Sequence, residues 1–464
     1  MGLTPSTSSR TVGIASAGLL ALVLAGVPAT ATATAAVPGA ATADVVLKPG
    51  TKAATVSTEK QLRTAVMRSN KRDGTQVIKL SSDISFAKSK KKNGGAGVGD
   101  LDVTGDLVLN GAGQTIDARG VDRIFDVAEG VTLVLRNVKL TGGAPAATES
   151  GGAVRVAGTL KAKRVTLTKN KVKGELASGG AVFNDGGTVV LQKSRLSGNE
   201  AVRAGGGIEA LGGRTVVRGS ALAKNSTGDE PGNGGGLHLT EDGTVKVINS
   251  KVVKNTASAE GGGLWNSASG TFLLRDSVVS KNKARGDESD SGGGGVYNDG
   301  GELTVRDSSV SNNKATGEAG SGGGLLSVAG DVTVQDADLA GNTSRRAGGA
   351  IEIVEGVVAL TDVEMSGNET GDAPGNGGGL HITGAAEVTY DGGRTTRNKA
   401  AAEGGGLWNS ETGTLTVTDV RIAKNKAPVG KNNFNDGGVF TVDGDPVESD
   451  NEDDGGGLPL PLPF

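Results

Sequence analysis

Between about residues 100 and 445 the chain keeps returning to short runs in which apolar and polar residues alternate, such as "TLVLR", "TLKAK", "TVKVI" and "TLTVT". Alternation sends successive side chains to opposite faces of an extended backbone, so each run predicts a strand with one buried face. From residue 151 onward a glycine run and an aliphatic residue stand before each one, and the motif aliphatic-x-x-Asn follows it. Aligning that last residue gives Asn170, Asn199, Asn225, Asn255, Asn282, Asn313, Asn342, Asn368, Asn398 and Asn425, spaced 29, 26, 30, 27, 31, 29, 26, 30 and 27. The first five spacings total 143 and the next four repeat the first four. A coil of 26 to 31 residues is therefore nested in a five-coil block copied in tandem within about 170–445.

A unit this short, with two or three strands and no helical period, cannot bury its apolar face alone and needs stacked neighbours. The pattern predicts an all-β, single-stranded parallel solenoid in which residues such as Leu264, Leu273 and Val279 point inward, each about 4.8 Å from its equivalent in the next coil. Six residues before each repeat asparagine stands Asn249, Asp276, Asp307, Asp336, Asp362 or Asp419, with Gly219 and Gly392 there in two coils. Those residue types suit a left-handed turn between two strands. The asparagine column itself is expected to be a ladder of stacked amides. Because glycines recur in every coil and no strand–loop–helix with a lysine follows them, they are not phosphate loops.

The repeats also carry a family resemblance. "GGAV" at 151–154 and 179–182, "GGAI" at 348–351 and their GGGL and GGGV variants, each followed by aliphatic-x-x-Asn, resemble the GGA-[ILV] and FxxN repeats of the chlamydial polymorphic outer-membrane proteins and their secreted bacterial relatives. The resemblance covers roughly residues 100–445 and implies a right-handed parallel β-helix of the pectate-lyase-like type. In this chain the phenylalanine of FxxN is aliphatic (Leu196, Leu222, Val279, Met365, Ile422), and no C-terminal autotransporter barrel follows.

The flanks divide the rest. Residues 1–36 read as a secretory signal peptide, with Arg10 ahead of "VGIASAGLLALVLAGV" and small residues in "ATATATAA"; 37–56 form a linker. Residues 57–100 hold a capping helix and the first strands. There Thr58 and Gln61 suit a capping box, Leu62, Ala65 and Val66 share one face, and Gly74 lies beyond the end. Residues 101–445 are the β-helix, and 446–464 are an acidic, then Gly/Pro-rich tail with no core pattern and no Leu-Pro-x-Thr-Gly sorting motif. The expected protein is secreted, extracellular or associated with the cell surface, with no transmembrane anchor after signal removal. It is expected to be monomeric.

Composition narrows the function classes. With 80 glycines in 464 residues the chain is rich in tight turns, yet 36% apolar residues exclude wholesale disorder. No cysteine is present, so no disulfide helps to hold the fold. A net charge of -3 gives no footprint for nucleic acid, and the one basic run, "KSKKKN" at 88–93, reads as a solvated loop.

The residue after the first aliphatic of each glycine-flanked strand should point away from the interior. Coil by coil it is Phe183, Glu209, His238, Trp265, Tyr297, Leu326, Glu352, His381, Trp408 and Phe440. Both tryptophans fall in this column because the block was copied whole, which sets them about 24 Å apart along one face. Two readings follow. In one, Glu209, His238, Trp265, Tyr297, Glu352, His381, Trp408 and Phe440 form an exposed stripe that binds an extended polysaccharide or another cell-surface ligand, the rings stacking on sugars. In the other, glycine-rich loops fold over the rings and make them local packing.

Catalytic candidates are Glu209 with His238 and Glu352 with His381, acid/base pairs in neighbouring coils. No cofactor is expected. Each patch offers one histidine and one carboxylate, short of a zinc site, and calcium is conceivable only at the acidic loops "GDEPGN" and "GDESDSGG". The sequence therefore predicts an exported, non-catalytic, surface or adhesin-like β-helix, with a polysaccharide lyase or glycoside hydrolase as the alternative.

Overall fold

The structure, a computed structural model, describes residues 52–88 and 99–448 apart from 230, 289 and 373. The predicted signal peptide, most of the linker, the basic run beyond Lys88 and the tail beyond Glu448 lie outside the described residues.

The chain winds as a right-handed parallel β-solenoid. One coil shows the plan. Leu264–Asn266 is a strand of a 13-stranded sheet; Thr271–Arg275 and Val278–Ser280 belong to a 27-stranded sheet; Lys283–Ala284 belongs to a 7-stranded sheet, after which the chain rises to the next coil. Equivalent strands pair in parallel register, as Leu264 with Val296 and Phe272 with Leu303. The exception among the described strands is a closing antiparallel pair, Val439–Val442 with Asp445–Pro446.

Alternation fixes which side chains enter the core. Leu264, Phe272, Leu274 and Val279 are buried in one continuous apolar cluster that runs from Val56 to Phe440. Leu273, expected inside, is half-exposed, because the strand Thr271–Arg275 sends Phe272 and Leu274 inward and the residue between them out. Each buried residue of this kind contributes about 1.5–3 kcal/mol.

The turn between the two strands of the large sheet is left-handed, as its residue types imply: φ is 46° at Asn249, 51° at Asp276 and 56° at Gly219. Arg164 and Lys193 take the same conformation in earlier coils, at 56° and 49°. Here the tight stacking of the coils overrides local preference.

The asparagine column is a closed hydrogen-bond ladder. Asn282 Oδ1 accepts from the backbone N–H of Asn255 at 2.9 Å and from its Nδ2 at 3.0 Å. Asn282 Nδ2 donates to the Val252 carbonyl at 2.9 Å and to Asn313 Oδ1 at 3.0 Å. The same pattern runs from Asn170 through to Asn425. Glycines pack against this ladder. A Cβ on Gly263 would meet the Gly295 carbonyl oxygen at 2.6 Å and Asn282 Nδ2 at 3.0 Å, so no side chain fits.

At the amino-terminal end, helix Glu59–Ser69 is capped by Thr58, whose hydroxyl accepts from the Gln61 N–H. The reciprocal bond of the expected capping box is displaced by one residue, since Gln61 Oε1 accepts from the Ser57 N–H at 2.8 Å. Leu62 and Val66 enter the core and Ala65 packs against it. Past the helix, Asn70 bonds the Asp102 carbonyl and the Thr104 N–H, occupying the edge that a further strand would otherwise pair with.

Replacing Asn282 with Ala breaks four buried side-chain hydrogen bonds and takes the side-chain partner from the Asn255 N–H and the Val252 carbonyl, while Asn255 Nδ2 keeps the Leu222 carbonyl and Asn313 Oδ1 keeps the backbone N–H at 282. We expect urea unfolding to show a loss of about 2 kcal/mol or more, since each unsatisfied group costs about 1–3 kcal/mol. Glu302→Ala, at an exposed position of the same region, should change stability by under about 0.5 kcal/mol.

Candidate functional site

The column that points away from the main core belongs to the 13-stranded sheet. Register pairs Asp102 with Asp126, then Arg155, Phe183, Glu209, His238, Trp265, Tyr297, Leu326, Glu352, His381, Trp408 and Phe434. Phe434, not Phe440, is therefore the last aromatic of the column. Phe440 lies in the large sheet opposite Leu415 and closes the main core. A constant offset of 143 fails at this coil because the step from Trp408 to Phe434 is 26 residues and the step from Trp265 to Tyr297 is 32.

From Glu209 onward the column is covered rather than open. Trp265 is 8% exposed and Trp408 7%, and Glu209, His238, Tyr297, Glu352 and His381 are buried as well. The glycine three residues before each strand's first aliphatic turns closest to the column. Gly234, Gly261 and Gly293 all have φ near 60°, and a Cβ there would lie 2.5, 2.9 and 2.8 Å from the Cβ of His238, Trp265 and Tyr297. Only a bare backbone can turn this close over the rings.

Within the column the side chains satisfy one another. His238 Nδ1 lies 3.1 Å from Glu209 Oε1, and the Thr240 hydroxyl donates to the same oxygen. The imidazole stacks on Trp265 at 4.2 Å between centroids, and Trp265 stacks on Tyr297 at 5.9 Å. The copy repeats this: His381 Nδ1 is 3.2 Å from Glu352 Oε1, Thr383 donates to that oxygen, and Trp408 is sandwiched by His381 at 4.2 Å and Phe434 at 6.1 Å. Arg346 approaches Glu352 at 3.9 Å. Each indole N–H donates at 3.0 Å to a carboxylate from the glycine loop, Glu260 or Glu403. Burial pushes the Glu260 carboxyl up to about 7, against the opposing effect of the Trp265 bond. Burial likewise raises the Tyr297 phenol.

This geometry limits the chemistry. A sugar stacks on the face of an indole, but both faces of each tryptophan are already occupied by protein rings. A general base must reach its proton at hydrogen-bond distance, but both imidazoles lie flat against indoles beneath the glycine backbone. Glu209 Oε2 is buried without a hydrogen bond among the described residues, whereas Glu352 Oε2 lies 3.0 Å from His381 Nδ1, which thus approaches both oxygens of that carboxylate. The histidine–glutamate pairs are thus assembled as the sequence suggested, but as interior packing.

The amino-terminal end of the same column is open, and sequence reading passed over it. Asp102 is exposed, and Asp126, Arg155 and Phe183 are half-exposed. Arg155 pairs with Asp126 at 3.1 Å and also with Asp185. Buried Arg123 bonds Asp100 Oδ2 at 3.0 Å, Asp126 Oδ2 at 3.2 Å and the Ser150 carbonyl at 2.8 Å. Partial burial, then the nearby Asp100 and Asp126 carboxylates, raise Asp102; burial raises Asp122. The signal was present in the outward residues of "LDV", "FDV" and "VRV", which precede or begin the regular glycine repeats. Among the described residues no group of three or more histidine or acidic side chains is arranged to hold a metal; the two acidic loops lie partly outside the described residues, at 230 and 289. No described helix is long and apolar enough to cross a membrane.

A family model described as "Right handed beta helix region" matches residues 152–342, the coils that carry Phe183 to Leu326. No curated protein and no solved structure matches the chain.

Because burial raises Glu260 from 4.5 to about 7, the folded state holds its proton more tightly than the unfolded chain does. The stability this provides is full below about pH 4.5 and is lost as pH rises through about 7. Urea unfolding of a Trp408→Phe variant, followed by Trp265 fluorescence, should show stability falling between those limits by on the order of 2 kcal/mol. Glu260→Gln should flatten that slope.

Proposed function

We propose that the protein is an exported, non-catalytic β-helix that serves as a rigid surface or adhesin-like scaffold, with any polysaccharide contact made at the open end of the column. The observation that carries this reading is the sealing of both Glu–His–Trp patches. Duplicated, hydrogen-bonded and covered by glycine backbone, they stiffen the rod and leave no faces for a substrate. The half-exposed Asp126, Arg155 and Phe183 instead offer a carboxylate, a guanidinium and an aromatic ring on consecutive strands, groups that bind sugar hydroxyls and stack on sugar rings. Export is supported by the amino-terminal signal pattern.

A second reading, a polysaccharide-cleaving enzyme of the pectate-lyase-like superfamily, is favoured by one feature. Asp102 and Asp126 stand on adjacent strands beside Arg155, and the Asp102 carboxyl is raised, as suits an acid/base role. Its site would be this open end rather than Glu209 and His238.

Glycan-array profiling separates the readings. Trp265→Ala with Trp408→Ala should lower the unfolding midpoint, each costing about 3–5 kcal/mol, and leave the glycan profile unchanged. Arg155→Ala with Phe183→Ala should remove glycan binding while the fold persists. Release of soluble product from a bound polysaccharide, abolished by Asp126→Asn, would establish the enzyme instead.

A further inference from the structure

The left-handed corner between the two strands of the large sheet forms a shallow groove along the solenoid, basic in its first coils, acidic in the middle and basic again toward the carboxyl-terminal end, where Arg394, Arg397, Arg421 and Lys424 line a further depression. In the first half a depression of about 490 Å³ is lined by Arg164, Lys193, Arg195 and Lys251. In the second half one of about 510 Å³ is lined by Asp276, Asp307, Asp336 and Asp338. All eight of these side chains are exposed.

The internal duplication shows that this reversal is specific to the corner. Between the two blocks the covered residues are kept: Glu209 and Glu352, His238 and His381, Trp265 and Trp408, Glu260 and Glu403 are matched pairs. At the corner, under the same offset of 143, Lys193 corresponds to Asp336, Arg195 to Asp338, Gly219 to Asp362 and Ala221 to Glu364. The covered column was retained, while three corner positions reversed sign, Arg164 corresponding to Asp307 in addition to the two pairs above; Lys251 and Arg394, and Asp276 and Asp419, keep theirs. Packing does not require this, because lysine and aspartate hold the turn equally well, with φ of 49° at Lys193 and 50° at Asp336.

We propose that this corner is a self-complementary interface through which two copies of the chain pair antiparallel about a twofold axis. Set between the coil of Lys251 and the coil of Asp276, the axis brings the basic coils from Arg164 to Lys251 opposite the acidic coils from Asp276 to Asp362, while at the margin Lys139 comes to face Arg394. Lys251 then faces Asp276 of the second copy, and Arg218 faces Asp307. Lys193 and Arg195 face Asp336 and Asp338, and Arg164 faces Asp362 and Glu364. Each contact occurs twice, as a closed isologous interface requires. A parallel pair shifted by five coils would instead set Lys251 against Arg394, and a parallel pair in register would oppose like charges throughout, which is strongly unfavourable.

Local neutralisation does not explain the charges. Lys193, Arg195, Asp307 and Asp336 make no ion pair among the described residues, although Arg275 approaches Asp276 at 3.3 Å and Arg394 approaches Glu364 at 2.6 Å. A dimer departs from the monomer expected of the sequence, where the sign change is hidden because its members are about 30 residues apart and separated by unrelated loops.

Sedimentation equilibrium of the secreted chain tests the pairing. We expect a dimer at about 20 mM salt whose dissociation constant rises at least tenfold by about 0.5 M, as screening shortens the reach of exposed charges. Lys193→Asp with Arg195→Asp should be monomeric, as should Asp336→Lys with Asp338→Lys. An equimolar mixture of these two variants should recover the dimer mass, because each then presents what the other lacks. Every substitution installs the charge that the equivalent position of the other block already carries, and circular dichroism should confirm an unchanged fold. A wild-type monomer at low salt, a dimer that survives either reversal, a mixture that stays monomeric, or growth into filaments would each overturn the proposal.

Discussion

Each coil of this protein hands one buried side-chain amide to the next, and that repeated contact disciplines the rest of the fold. An asparagine such as Asn282 makes four hydrogen bonds inside the rod, two of them to neighbouring asparagines and two to backbone groups of the preceding coils. Buried amides left unpaired are costly, so the coils are driven into a register in which every amide finds its partners. The spacing of 26 to 31 residues between asparagines is then absorbed by loops outside the sheets, while the strands stay in step. Glycine runs follow from the same constraint, because the backbone beside the ladder passes too close to the next coil to admit a Cβ.

The same close passage determines the fate of the outward column. Where the glycine backbone turns over it, rings and carboxylates that would otherwise face water become a second, smaller interior. Histidine, tryptophan and tyrosine stack in successive coils, and glutamates bond the imidazole and the indole. At the amino-terminal end, through the first two glycine-flanked coils, the column stays open and carries ions, with Asp126, Arg155 and Asp185 paired in sequence along it. One sheet face thus carries a wet end and a dry remainder.

Much of this architecture was legible from spacing. The coil period, the five-coil block, the left-handed turn residues and the asparagine ladder each leave a mark at fixed intervals, and Thr58 with Leu62 and Val66 marks the helix. What escaped depends on three dimensions. Leu273 looks as apolar as its neighbours, and only the phase of the strand shows that Phe272 and Leu274 take the inside. Phe440 fits a constant offset, but the loop before the last coil is shorter and moves Phe434 into the column. The sealing of Trp265 and Trp408 comes from backbone without side chains, which hydrophobic patterning cannot weigh. Asp102, Asp126 and Arg155 precede or begin the glycine repeats and so drew no attention, although their alternation already placed them outward.

The covered column, copied whole, packs the coils against one another, and the surfaces proposed for recognition, the open end and the corner, lie outside it. The central claim is that both indoles are interior. Acrylamide quenching of the native protein tests it most directly. Blue-shifted emission with quenching at least about fivefold weaker than in the urea-unfolded chain is expected for residues this deeply covered. Emission and quenching close to those of the unfolded chain would contradict the account and restore an open aromatic face.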